Sequence, residues 1–393
     1  MKKSPVAAEK QAAQPALPRP NLPDCGRRIG AHMPTAGGLH KSLTAGREIG
    51  CTAIQVFTSS PRQWKSAPIK DVDRDAFRAA HLECGEPFLV AHDSYLINLA
   101  APDPEVLERS QEAFRSELDR AEQLGIAWLV THMGAHLGQG EAEAVARLAA
   151  SLKSILDATD ALGYTVGIAL ETTAGQGTGL GATFDQLGEV LRAVGEHPRL
   201  GVCLDTCHIF VAGYDLRDEE SYEKTWDAFE THIGRRNLKV IHANDAKKPL
   251  GSKVDRHEHI GEGEIGLEAF ARLVTDPRLK HVPIIVETPD SETMHGVNVE
   301  RLVRLAAGEP AFITVSVQFF GHYSDATDGA PVSVKLPARS TVATLARTLA
   351  KMNAAFVDLE KHCRFAVKEE YTDLETVLSD GDLVAVLPPM SGG

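Results

Sequence analysis

The chain has 393 residues, 43% of them apolar, and a formal net charge of −13. That length suits two domains, or one large barrel with an appendage, and the charge excludes wholesale electrostatic wrapping of nucleic acid while leaving local contact open. No apolar run approaches the roughly 20 residues of a membrane span, and the N-terminus lacks an apolar signal core, so a cytoplasmic protein is expected.

Residues 1–26, rich in Pro, Ala, Gln and Lys, read as a disordered tail. From Arg27 onward, strand-like runs fall at 28–32, 53–57, 88–91, 127–131, 166–170, 200–204, 238–242 and 283–287. Helical stretches lie between them. The clearest covers 104–124, with Asp103 as N-cap, Pro104 in the first turn and Gly125 as the stop; a second covers 141–162. Eight strand–helix units predict an α/β fold, a (β/α)8 TIM barrel, over residues 27–307. Beyond Gly308 the order changes. Strands at 313–320 and 332–336, a helix capped by Thr341 and ending near Met352, and strands at 365–367 and 383–387 predict a small α+β domain over 308–393.

Six of the eight strands share one grammar: a short apolar run delivers a side chain able to bind metal. The third to eighth runs lead into His92, His132, Glu171, Asp205 (with His208 three residues on), His242 and Glu287. Asp255 and His257 alternate around Arg256, so an extended backbone would point both the same way. In a barrel these strand ends open on one face. Five imidazoles and four carboxylates form a nitrogen–oxygen set suited to zinc, or to manganese or iron. The thiols of Cys203 and Cys207 read as packing, and His32, His136 and His259 as supporting neighbours. Lys247, Lys248, Lys253 and Arg256 cluster in one loop as a local basic patch.

These motifs resemble the endonuclease IV family of apurinic/apyrimidinic (AP) endonucleases. The resemblance is carried by GAHMPTAGGL (30–39), FTSSPRQW (57–64), HDSYLIN (92–98), LETTAGQGTGLG (170–181), LDTCHIFVAGYDL (204–216), HANDAKKPLGSKVDRHEHIGEG (242–263) and VETP (286–289). It implies three zinc ions: one on His92, His132 and Glu171, one on Glu171, Asp205, His242 and Glu287, and one on His208, Asp255 and His257. It also implies a catalytic part for Glu171, insertion of Arg62, Tyr95 and Leu96 into duplex DNA, and hydrolysis on the 5′ side of an abasic site. Met133 stands where the family usually has proline, and Thr172 where asparagine is common.

The C-terminal stretch LVAVLPPMSGG (383–393) resembles the MoaD/ThiS group of ubiquitin-like β-grasp sulfur carriers, closest to the small subunit of molybdopterin synthase. That resemblance implies a thiocarboxylate on Gly393 behind Gly392, an E1-like activating enzyme, and the molybdopterin synthase large subunit as partners. Two other readings compete: a sugar isomerase or epimerase on the same barrel, and a carrier or interaction protein with an inactive barrel.

Overall fold

The computed structural model describes residues 20–65, 67–338 and 340–388. The strands of its first part are β1 (Ile29–His32), β2 (Ala53–Phe57), β3 (Phe88–His92), β4 (Trp128–His132), β5 (Gly167–Glu171), β6 (Leu200–Asp205) and β7 (Leu238–His242). A two-residue ribbon follows, β8 (Asp245–Ala246) against β9 (His257–Glu258), and then β10 (Ile284–Val286). The helices between and after them are α1 (Leu39–Glu48), α2 (Asp71–Glu83), α3 (Pro104–Leu124), α4 (Glu141–Asp160), α5 (Phe184–Val194), α6 (Thr206–Ala212), α7 (Glu219–His232), α8 (Leu267–Thr275) and α9 (Ser291–Ala306).

Eight strands close a barrel in the order β1-β10-β7-β6-β5-β4-β3-β2, the predicted TIM barrel. Strands covered on both faces are apolar along their whole length, and every residue of β5 is buried. Ala53, Val90, Val130, Ala169, Cys203, Val240 and Ile285 pack together as one buried apolar cluster. Cys203 is thus part of the packed barrel core, and burial pushes its thiol up to about 12.

Local signals set the helix ends. Asp103 accepts from the N–H groups of Glu105 and Val106, Pro104 opens α3, and Gly125 ends it at φ 70. The helix expected to reach residue 162 ends at Asp160. The eighth barrel strand begins at Ile284 because Pro283 has no N–H for the ladder, and Glu287 lies just past its end.

The chain divides between Val299 and Glu300, inside α9. The second unit contains β11 (Phe312–Phe319), β12 (Val332–Pro337), α10 (Val342–Met352), α11 (Leu359–His362), β13 (Arg364–Val367), β14 (Glu370–Thr372) and β15 (Leu383–Leu387). Its sheet runs β12-β11-β15-β13-β14, with β11 parallel to β15 and the other pairs antiparallel. Thr341 caps α10 by accepting from Thr344 N–H. Val315, Val317, Leu336, Leu345, Leu349, Val384 and Val386 share one core with Phe319, whose ring stacks on Phe356 at 4.4 Å. This is the expected α+β domain. Gly392 and Gly393 lie outside the described residues.

Candidate metal centre

The strand register brings the candidate residues of neighbouring strands to the same or nearly the same position. His132 pairs with Glu171 and Asp205 with His242, while Glu171 pairs with Cys203, two residues before Asp205, and His92 with Val130, two residues before His132. All sit at the ends where parallel strands open together.

Glu171 lies at the centre and is only 1% exposed. Its Oε2 is 3.0 Å from His92 Nε2 and 3.5 Å from His132 Nδ1. Its Oε1 is 2.8 Å from His242 Nδ1 and 3.6 Å from His208 Nδ1. Glu287 Oε2 meets His242 Nδ1 at 3.1 Å. On the far side, Asp255 reaches His208 Nε2 at 3.2 Å and His257 Nε2 at 3.3 Å, and Asp205 lies 3.7 Å from His257 Nε2.

All nine candidates fall into three groups whose ligand atoms lie within 4.8 Å of one another: His92–His132–Glu171, Glu171–Asp205–His242–Glu287, and His208–Asp255–His257. Cys203 and Cys207 also approach the cluster. Burial pushes both thiols well up, which disfavours the thiolate that would bind a metal.

The donor set fits divalent cations. His92 Nδ1 faces Asp93 O at 3.0 Å, His208 Nδ1 faces Thr172 O at 2.8 Å, and His257 Nδ1 faces Glu287 O at 3.1 Å. A carbonyl can only accept, so in each neutral ring the proton sits there and the other nitrogen is bare. Among the described residues, buried His132 Nδ1 and His257 Nε2 have no hydrogen-bond partner.

Burial opposes charge on Glu171, Glu287, His92, His208 and His257, but their neighbours outweigh it. Histidines 132, 242 and 92 hold the Glu171 carboxyl well below the usual range, and His242 with His32 does the same for Glu287. Conversely, the acids raise His92 and His257 to about 9 and His208 to about 10. For His132 burial wins, and its pKa falls. A cation entering this cluster would displace protons from the raised imidazoles.

Both departures from the family pattern are absorbed. Thr172 Oγ1 accepts from Asp205 N–H at 2.9 Å while its carbonyl orients His208. Met133 is fully buried, with its sulfur 3.0 Å from where a side chain on Gly181 would begin. His32 touches Glu287 Oε1 at 3.1 Å. His259 meets Asn298 at 3.2 Å and Asp290 at 3.7 Å, and His136 accepts from Gly138 N–H.

Sequence reasoning missed several supports. Asn244 donates to Asp205 Oδ2 at 2.6 Å and accepts from Glu287 N–H at 2.7 Å. Asp245 is fully buried and accepts five backbone N–H groups: Ala246 at 2.8 Å, Ile265 at 2.9 Å, Gly261 and Gly263 at 3.0 Å, and Gly266 at 3.3 Å. Both follow His242 closely in HAND (242–245), and nothing local marks them as supports.

Arg62 is exposed, Tyr95 is 63% exposed and Leu96 is half-buried. The Tyr95 ring packs edge-on against Phe57 at 5.6 Å and lies 6.1 Å from the His92 ring, beside the cluster. Ser94 Oγ donates to Pro61 O at 2.9 Å, tying the Tyr95 loop to the Arg62 loop. Two buried residues of α3 hold the latter. Glu117 accepts from Thr58 Oγ1 at 2.5 Å and from Ser59 Oγ, while Arg120 donates to Thr58 O and to Ala67 O at 2.7 Å. In the basic loop, Lys247 pairs with Glu258 at 3.5 Å.

Residues 43–307 match the family described as Xylose isomerase-like TIM barrel, which defines the class, and residues 317–393 match the ThiS family. The probable endonuclease 4 of Chloroflexus aggregans is 48% identical over 267 residues, 68% of this chain and 93% of that protein. That of Geobacter sulfurreducens is 44% identical over 279 residues, 70% of this chain and 94% of that protein. The chain belongs to the endonuclease IV family, and it carries a ThiS-family domain at its C-terminus. Among solved structures, endonuclease IV from Thermus thermophilus is 33% identical, covers 72% of this chain and 99% of its own, and superposes with a TM-score of 0.63. A D-tagatose 3-epimerase-like protein, 19% identical with a TM-score of 0.57, shares the fold. No helix among the described residues is long and apolar enough to cross a membrane.

Proposed function

We propose that the barrel, residues 27–307, is a zinc-dependent AP endonuclease that hydrolyses the phosphodiester 5′ to an abasic site. The observation that carries this reading is the gathering of nine candidate ligands into three groups, two of which share Glu171. Divalent ions held there would acidify water and draw charge from a phosphoryl group; zinc suits the nitrogen–oxygen donors, with manganese or iron able to take part. His92, His132 and Glu171 would hold one ion, Glu171, Asp205, His242 and Glu287 a second, and His208, Asp255 and His257 a third.

In the reaction, the oxygen of a water molecule attacks phosphorus and the bond to the upstream O3′ breaks. The products are a 3′-hydroxyl, which takes up a proton, and a 5′-deoxyribose phosphate. Glu171 is held ionised, so it can orient the water or accept its proton. A missing base makes extrusion of the damaged nucleotide cheap. Tyr95, whose ring lies 6.1 Å from that of His92, and the adjacent Leu96 would form the wedge, with the Arg62 loop tied to theirs through the Ser94–Pro61 bond, an arrangement suited to minor-groove entry.

The second domain, residues 308–393, is read as a sulfur carrier of the molybdopterin synthase small-subunit type. It would be activated at Gly393 by an E1-like enzyme and deliver sulfur to the large subunit, and the protein would act in the cytoplasm. The test for the barrel is incision of a duplex bearing a single abasic site, abolished by chelation and restored by zinc. Keto–aldose interconversion without incision would refute the nuclease reading. For the carrier, mass spectrometry after incubation with an activating enzyme, ATP and a sulfur donor should show a C-terminal thiocarboxylate; an unmodified carboxylate would count against it.

A further inference from the structure

Gln55 lies on β2 and is fully buried between apolar neighbours. A buried amide is costly unless its groups are paired, and here the pairs are polar residues of the centre. Gln55 Oε1 is 2.8 Å from His242 Nε2. Gln55 Nε2 is 2.6 Å from Glu287 Oε1 and 2.9 Å from His32 Nδ1.

The orientation of the amide follows from His242. Its Nδ1 faces the acids, 2.8 Å from Glu171 and 3.1 Å from Glu287 Oε2. A nitrogen offered to a cation must be bare, so the ring proton belongs on Nε2, and only an acceptor can face it. The amide oxygen therefore points at His242 and the amide NH2 at Glu287. The reverse orientation would set the amide oxygen against a carboxylate. His32 Nδ1 lies 3.1 Å from the same Glu287 Oε1, so two nitrogens converge on that oxygen and Oε2 is left toward the cluster.

We propose that Gln55 is a positioning residue for the metal centre, a single amide that sets two ligands at once. It fixes His242 as the Nε2–H tautomer with Nδ1 inward, and it anchors Glu287 Oε1 so that Oε2 is the oxygen offered to the ion. This inference rests on the metal-centre reading above. Losing such a partner typically lowers metal affinity about 10–100-fold.

Gln55→Leu, similar in volume, removes both contacts. Zinc per chain by native mass spectrometry and zinc affinity by chelator competition, on wild type and variant, should show one ion weakened about 10–100-fold. Gln55→Glu keeps an oxygen toward His242 but sets a second against Glu287, so it should not restore wild-type affinity. If the Leu variant does not fold, ¹⁵N NMR of zinc-loaded wild type decides: His242 should carry its proton on Nε2 and bind through Nδ1. A wild type that binds no divalent ion would refute the metal-centre reading. A wild type that binds zinc, with a Leu variant that binds it equally or with His242 bare at Nε2, would overturn the Gln55 assignment alone.

Discussion

Asp245→Asn offers a sharp test of how the Asp255–His257 loop is held. The carboxylate accepts three N–H groups on Oδ2, from Gly261, Gly263 and Gly266, and two on Oδ1, from Ala246 and Ile265. Asparagine can keep its oxygen toward the three, but its NH2 then faces two donors. Losing two hydrogen bonds to a charged group, at about 1.5–3 kcal/mol each, amounts to about 3–6 kcal/mol. Burial already pushes the Asp245 carboxyl above the usual aspartate range, and asparagine relieves that penalty, so the net loss should settle near 3 kcal/mol. The loop, not the barrel, should open, and about 3 kcal/mol corresponds to on the order of 100-fold. Hydrogen exchange at Gly261, Gly263 and Ile265 should accelerate by that factor, with loss of the ion assigned to His208, Asp255 and His257. Gly263→Ala should act alike, since its Cβ would fall 2.5 Å from Ala246 O and 2.6 Å from Asp245 Oδ1. Unchanged exchange at those amides with full metal content would refute the reasoning.

Glu171→Gln should reduce incision by about 10²–10⁴-fold, the usual weight of a positioned proton acceptor, while abasic-duplex binding stays close to wild type; loss of binding with turnover per complex unchanged would contradict its role. Arg120→Met should free the loop that carries Arg62. Ordering even one residue costs about 1–2 kcal/mol, so Kd for an abasic duplex should rise on the order of tenfold at constant zinc content, and an unaltered Kd in a folded variant would sink that idea. Acid stability should depend on Asp276: burial raises its carboxyl, but hydrogen bonds from Arg278 and from the Tyr222 hydroxyl outweigh this and hold it below the usual range. A depressed folded pKa adds stability above the unfolded value of about 3.9 and loses it as pH falls through the folded one. The Tm gap between wild type and Asp276→Asn should therefore be full at neutral pH and shrink on acidification below about pH 4; a gap constant with pH, measured by calorimetry, would show the carboxylate is not responsible.

Much of the architecture was readable because its signals are local. Asp103, Pro104 and Gly125 state both ends of α3 in the chain itself, and strands buried on two faces leave unbroken apolar runs. The nine clustered residues were legible as a set because the end of a parallel strand is a position in sequence as well as in space. What escaped detection acts at long range. Gln55 and Glu287 are 232 residues apart, and nothing near Gln55 signals that its amide has charged neighbours. Glu117 and Arg120 read as ordinary polar residues of an amphipathic helix, yet both are buried against a loop. The β8–β9 ribbon, two residues per strand, is too short to show alternation, so nothing local marks Asp245 beside His242.

The seam of the barrel bears on how the protein is made. β10 docks against β1, with Ile284 beside Ile29, and β10 is the last barrel strand a growing polypeptide supplies. Glu287 emerges with it, so an emerging chain has most of its imidazoles in place before it owns the final carboxylate. Closing a ring across so long a separation is slow, and ion capture should trail synthesis, awaiting the tail end of the barrel.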